Sequence, residues 1–110
     1  MPPCPAILIA STTLPDESSA QTLARGAVAA GLAACAQVEG PITSHYVWQG
    51  KLECTREWRV VFKLEPSREA RLLAWVRPQH PYTTPQWTTF AAGASPDYAA
   101  WVAAAGPAQS

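Results

Sequence analysis

Ile42-Thr43-Ser44-His45-Tyr46-Val47-Trp48-Gln49-Gly50-Lys51-Leu52-Glu53-Cys54-Thr55-Arg56-Glu57-Trp58-Arg59-Val60-Val61-Phe62-Lys63-Leu64 reads as two long strands joined by one tight turn. Gln49-Gly50 is the turn, with glycine where a positive φ is needed, and beyond it Leu52, Cys54, Trp58, Val60, Phe62 and Leu64 alternate. Upstream, Leu32 to Val38 is apolar and Gly40-Pro41 interrupts it, which predicts one strand with a bulge or bend. Lys51 to Leu64 is roughly twice the usual strand of about five or six residues. Part of the hairpin therefore projects beyond its domain. A ribbon carrying Tyr46, Trp48 and Trp58 leaves edges and rings exposed unless another subunit covers them, so an oligomer is expected.

Working outward, Pro5 to Ser11 is a short apolar run bounded by proline and polar residues, the pattern of a buried strand. Pro15-Asp16-Glu17 opens a helix whose Ala20, Leu23, Ala24, Ala27 and Val28 share a face, and Gly31 ends it. A second helix begins at Pro66, runs through Leu72, Leu73 and Val76, and stops at Pro78. Gln86 to Ala92 reads as the fourth strand. Ser95-Pro96-Asp97 caps a last helix through Tyr98, Trp101, Val102 and Ala105. The order β-α-β-β-α-β plus a terminal helix predicts an α+β, ferredoxin-like sandwich, four antiparallel strands with both main helices on one face. Residues 1–110 form a single domain on this reading, with no linker or repeat.

The 110 residues are enough for one core, burying roughly two-thirds of the unfolded surface. Eight basic and eight acidic side chains cancel, so no overall field draws nucleic acid or an anionic membrane. Ile7-Leu8-Ile9 is too short for a signal peptide or a membrane span. Cys4, Cys35 and Cys54 are odd in number and widely spaced, which fits reduced thiols in a cytoplasmic protein.

Three prolines stiffen the stretch around His80: Pro78 and Pro81 hold its backbone extended, and Pro85 restrains the far end. Such a loop either presents a fixed imidazole to a ligand or metal, with Tyr82 beside it, or is a rigid connection with a satisfied histidine. Cys35 sits in Leu32-Ala33-Ala34-Cys35-Ala36, a context apolar enough for a core residue. As a metal ligand it needs partners from distant segments or other chains, because no C-x-x-C or H-x-x-H spacing exists. Cys54 and Cys4 are weaker candidates. Glu57, Arg59 and Lys63 alternate on the strand face opposite Trp58, Val60 and Phe62, where they are either solvated or line a cleft between subunits. There is no Gly-rich phosphate loop, G-x-S-x-G or H-E-x-x-H, so no enzyme is expected.

Thr12-Thr13, Leu32-Ala33-Ala34-Cys35, Tyr46-Val47-Trp48-Gln49-Gly50-Lys51, Glu57, Lys63, His80-Pro81-Tyr82 with Pro85, and Gly93 followed by Tyr98 and Trp101 occur in that order. Together they resemble the CutA family of divalent-cation tolerance proteins, over nearly the whole chain. The resemblance implies a ferredoxin-like subunit in a homotrimer like that of the PII signalling proteins, with hairpins extending between neighbours. It implies a role in tolerance of divalent metals, with a copper ion as the possible ligand and no established reaction. By likeness, His80 and Cys35 become candidate metal ligands, while Trp48, Glu57, Lys63 and Tyr82 line an inter-subunit cleft. Thr83 and Gln86 stand where the family commonly carries glutamates, and Trp87 where an aliphatic residue is usual. Losing those carboxylates favours a soft or borderline ion such as copper. Two alternatives remain at this stage: a PII-like module binding a small anionic metabolite through Lys63 and Arg59, and a purely structural scaffold.

Overall fold

The computed structural model describes residues 5–109. Gln49 and Gly50 both have positive φ, 51° and 78°, the geometry that a two-residue hairpin turn requires. On either side of them run β2 (Cys35–Trp48) and β3 (Lys51–Leu64), paired antiparallel from Cys35↔Lys63 to Trp48↔Lys51. The remaining elements are β1 (Ala6–Leu14), α1 (Glu17–Ala29), α2 (Glu69–Val76), β4 (Thr88–Gly93) and α3 (Pro96–Ala103). The sheet order is β2-β3-β1-β4, the ferredoxin-like α+β arrangement expected from the sequence.

Alternation along the central strands decides which face holds the core. Ala10, Leu14, Val60, Phe62 and Leu64 point to one side, where Ala20, Leu23, Ala24 and Ala27 of α1 and Leu72 and Val76 of α2 cover them. The small alanines let α1 approach closely. Ile7 and Val102 are also buried but lie outside this cluster, and Tyr98 of α3 packs at the Lys63 ammonium. The last helix thus covers part of the opposite face.

β1 pairs with β3 only from Trp58 to Leu64, so Lys51 to Glu57 is held by β2 alone. This two-stranded arm is about 24 Å long at the usual strand rise. It accounts for the 49 Å long axis and for a radius of gyration of 15.1 Å, against about 13 Å for a compact domain of this length. The register shifts between Glu39 and Ile42, so Gly40 and Pro41 bulge opposite Trp58. A Cβ on Gly40 would lie 2.5 Å from Trp58 Cδ1, so only glycine lets the indole lie across the strand there.

Some boundaries differ from those read in the sequence. β1 continues to Leu14 because Thr12 and Thr13 pair with Val60 and Arg59 rather than ending the strand. β2 begins at Cys35 rather than Leu32, because the preceding residues close α1. Gly31 (φ 75°) donates to Val28 and Leu32 donates to Ala27, which satisfies the last carbonyls of that helix. Pro107 lies against Gly31, and the Ala108 amide donates to the Ala29 carbonyl at 2.8 Å. β4 starts at Thr88 instead of Gln86, because Trp87 turns inward onto Phe62 with ring centroids 6.0 Å apart. Its indole N–H is buried and finds no acceptor among the described residues.

Candidate functional site

The prolines place His80 at the end of a 3-10 turn, Arg77–Gln79, with extended backbone (φ −79°, ψ 133°). Its ring enters the end of β1 and is buried. Nδ1 accepts the Tyr82 backbone N–H at 3.1 Å, so the proton sits on Nε2, which donates to the Thr13 carbonyl at 3.0 Å and lies 3.1 Å from Thr12 Oγ1. Burial lowers the imidazole's proton affinity, against opposing contributions from the Thr13 carbonyl and Glu57. His80 is therefore a neutral strut with both nitrogens in use, tying the loop to β1.

That strut positions Tyr82, whose ring is 5.1 Å from the imidazole and whose hydroxyl donates to Glu57 Oε2 at 2.9 Å. Burial, then the Glu57 carboxylate, pushes the phenol far above the ordinary tyrosine range, so it remains a donor. Glu57 is only 7% exposed, unusual for a carboxylate on an open sheet face. No protein donor among the described residues reaches its Oε1. Glu57 and Tyr82 line a cavity of about 420 Å³, with Thr13 of β1, Tyr46 and Trp48 of the arm, and Thr83, Thr84 and Gln86 of the loop around it. The lining thus combines hydroxyl-bearing side chains, one carboxylate and one amide with the Tyr46, Trp48 and Tyr82 rings.

The family described as "CutA1 divalent ion tolerance protein" matches residues 8–105 of this sequence. The chain belongs to the CutA family. The divalent-cation tolerance protein CutA of Pectobacterium atrosepticum is 36% identical over 102 residues, 92% of each chain. CutA from Synechococcus elongatus superimposes with a TM-score of 0.83 at 36% identity, covering 88% of this chain and 87% of that one. The periplasmic divalent cation tolerance protein CutA of Archaeoglobus fulgidus gives 0.83 at 26% identity, covering 87% and 94%. This CutA-family chain is thus a divalent-cation tolerance protein by descent, and those relatives are named for tolerance and not for a reaction.

Of the residues singled out in the sequence, Trp48, Glu57 and Tyr82 do meet in one cavity. Lys63 does not join them. It pairs across from Cys35, nearer the far end of β3, with its ammonium 6.0 Å from the Tyr98 ring centroid. Arg59 is committed to Glu39 at 3.0 Å, so the two cations of the anion-binding alternative are turned to other partners. Cys35 and His80 also stay apart. Cys35 lies on β2 opposite Lys63, whereas His80 meets β1 at the residues paired with Arg59 and Val60. Two strand spacings and three or four residues separate them, about 10 Å in each direction. One ion cannot bridge them within a chain. Among the described residues no three His, Cys, Asp or Glu side chains converge on a metal-sized site. Cys54 is exposed on the arm, and Cys4 lies outside the described residues.

Thr13 and Tyr46 are cleft residues that the sequence reading did not assign to it. Tyr46 was accessible by alternation, standing two residues from Trp48 on the same face. The Glu57–Tyr82 hydrogen bond joins positions 25 residues apart and has no local signal.

Proposed function

We propose that the chain serves cation tolerance as a homotrimer that binds a divalent ion, copper first, in the cleft at Glu57, without catalysing a reaction. The observation that carries this is a buried carboxylate with one oxygen fixed by Tyr82 and the other unused, opening on a 420 Å³ cavity. A fixed carboxylate can ligate an ion without first being ordered. Copper(II) stands at the top of the affinity order of the divalent first-row ions at a given site, so it is the strongest probe. With a single carboxylate per chain, the remaining donors come from water and from a neighbouring subunit. His80 supports the site by fixing Tyr82, and its own nitrogens are spent.

The trimer reading rests on apolar surface that a monomer would leave wet: Leu52 is 79% exposed, Val47 67% and Phe90 62%, with Trp48 and Trp101 half exposed. The arm forms one wall of the cleft and has no covering of its own, so a neighbour's packing completes both. The PII-like form of that trimer follows from the family resemblance. Free Cys35 and Cys54 suit a reducing, cytoplasmic setting.

Calorimetry with copper(II), zinc and manganese tests the reading, alongside sedimentation to measure mass. Micromolar copper binding to a trimer, weakened roughly tenfold or more in Glu57→Gln, is the expected result. Equal affinity in that variant, or no binding at micromolar copper, refutes it. A monomer in sedimentation refutes the assembly.

A further inference from the structure

The arm has a second face, and it carries a different set of donors. The register places His45 directly opposite Cys54, with Thr43↔Arg56 on one side and Val47↔Leu52 on the other. Strand alternation turns these six side chains away from Tyr46, Trp48 and Glu57, which line the cleft. In the single chain His45 and Cys54 are both exposed, beside the Val47–Leu52 pair that the trimer reading assigns to a neighbour, and neither makes a side-chain hydrogen bond among the described residues.

We propose that His45 and Cys54 form a second metal site, a two-coordinate copper(I) site spanning the arm. Directly opposed residues in an antiparallel pair have Cβ atoms about 4.5–5.5 Å apart. Metal bonds to imidazole nitrogen and thiolate sulfur are about 2.0 and 2.3 Å long, judged by zinc, so a nearly linear N–metal–S unit spans about 4.3 Å. Side chains rooted at that spacing can bring Sγ and a ring nitrogen to that separation by rotamer choice, on a ladder whose register holds the two residues opposite. The donors select the ion. A thiolate and an imidazole are soft and borderline ligands, which favour copper(I). Zinc requires four ligands and finds only these two here, while the nearest carboxylate on the arm, Glu53, pairs with Tyr46 on the other face. The apolar Val47–Leu52 pair shields one side of the site from water. Arg56 borders the other side, its guanidinium 5.9 Å from the Trp58 ring centroid and without a lone pair to compete for the metal. Binding joins copper(I) to Sγ and to one ring nitrogen, and the thiol proton leaves to solvent. No electron is transferred.

The site is independent of Glu57, so its test separates from that of the cleft. The intact protein, kept reduced under nitrogen, is titrated with copper(I) against a chromophoric copper(I) chelator, and X-ray absorption reports the first shell. The wild type is expected to bind one copper(I) per chain with one sulfur and one nitrogen neighbour. Cys54→Ser should abolish binding. His45→Gln should weaken it by at least the roughly 10–100-fold that losing an outer-shell partner costs a metal site. The double variant Cys4→Ser/Cys35→Ser should bind as wild type. Undiminished binding in Cys54→Ser, loss in the Cys4/Cys35 double variant, or a shell of sulfur without nitrogen each overturns the proposal. Circular dichroism shows whether each variant keeps its strands, and Cys54 and His45 are exposed enough that their substitution leaves the core intact.

Discussion

Protonating His80 should cost the protein stability, and one substitution should remove that cost. The imidazole's ordinary value of 6.5 is lowered in the fold, chiefly by burial, against opposing contributions from the Thr13 carbonyl and Glu57. A proton would enter at Nδ1, where the Tyr82 N–H already points from 3.1 Å, setting two donors face to face. The unfolded chain takes up its proton near pH 6.5, the folded one only at lower pH. Between those values the unfolded state holds more protons, so stability is complete above about pH 6.5 and is lost as pH falls through the window below it. The slope for one proton is at most about 1.4 kcal/mol per pH unit. Urea unfolding from about pH 8 to about pH 5, at one chain concentration because assembly adds to apparent stability, measures it. His80→Gln should be less stable at neutral pH, by about 1–3 kcal/mol for the buried Thr13 carbonyl left poorly paired, yet flatter toward acid. Parallel decline of the two curves would refute the strut.

Two further outcomes test the packing. Phe62 is fully buried between the helices and Trp87, so Phe62→Ala should lower stability by about 3–5 kcal/mol in urea unfolding, and a loss under about 1 kcal/mol would mean the ring is not central to the core. Gly40→Ala sets a methyl group against the Trp58 indole and should cost about 1–3 kcal/mol with a shift in tryptophan fluorescence; unchanged stability and emission would show that the bulge has room to spare.

The hairpin was legible because its signals are local. Gln49-Gly50 demands its turn geometry, and the alternation through Leu64 assigns each side chain to a face. The same alternation put Glu57 with Arg59 and Lys63, which is correct for the face and silent about partners. Whether Lys63 turns to Tyr98 or to the cleft depends on where α3 lands, a long-range outcome. The end of β1 was misread for a related reason: Ser11-Thr12-Thr13 looks polar enough to stop a strand, yet Thr12 is fully buried, its hydroxyl 3.1 Å from the ring of His80, which comes 68 residues later. The prolines correctly marked the His80 loop as rigid. They could not say that rigidity, and not ligation, occupies both ring nitrogens. Trp87 was visible as a departure from the family pattern, and its inward turn explains why β4 starts late.

The contact between Ala108 and Ala29 has a consequence for the order in which the molecule is made. The carbonyl end of α1 is finished partly by a residue that leaves the ribosome after every strand of the sheet has been synthesised. Until then Gly31 lacks its Pro107 neighbour, and the Ala29 carbonyl must turn to water. The nascent chain can pair β1, β3 and β2 and seat the alanine face of α1 early, but the carbonyl end of that helix is finished last, like a clasp fastened after the garment is on.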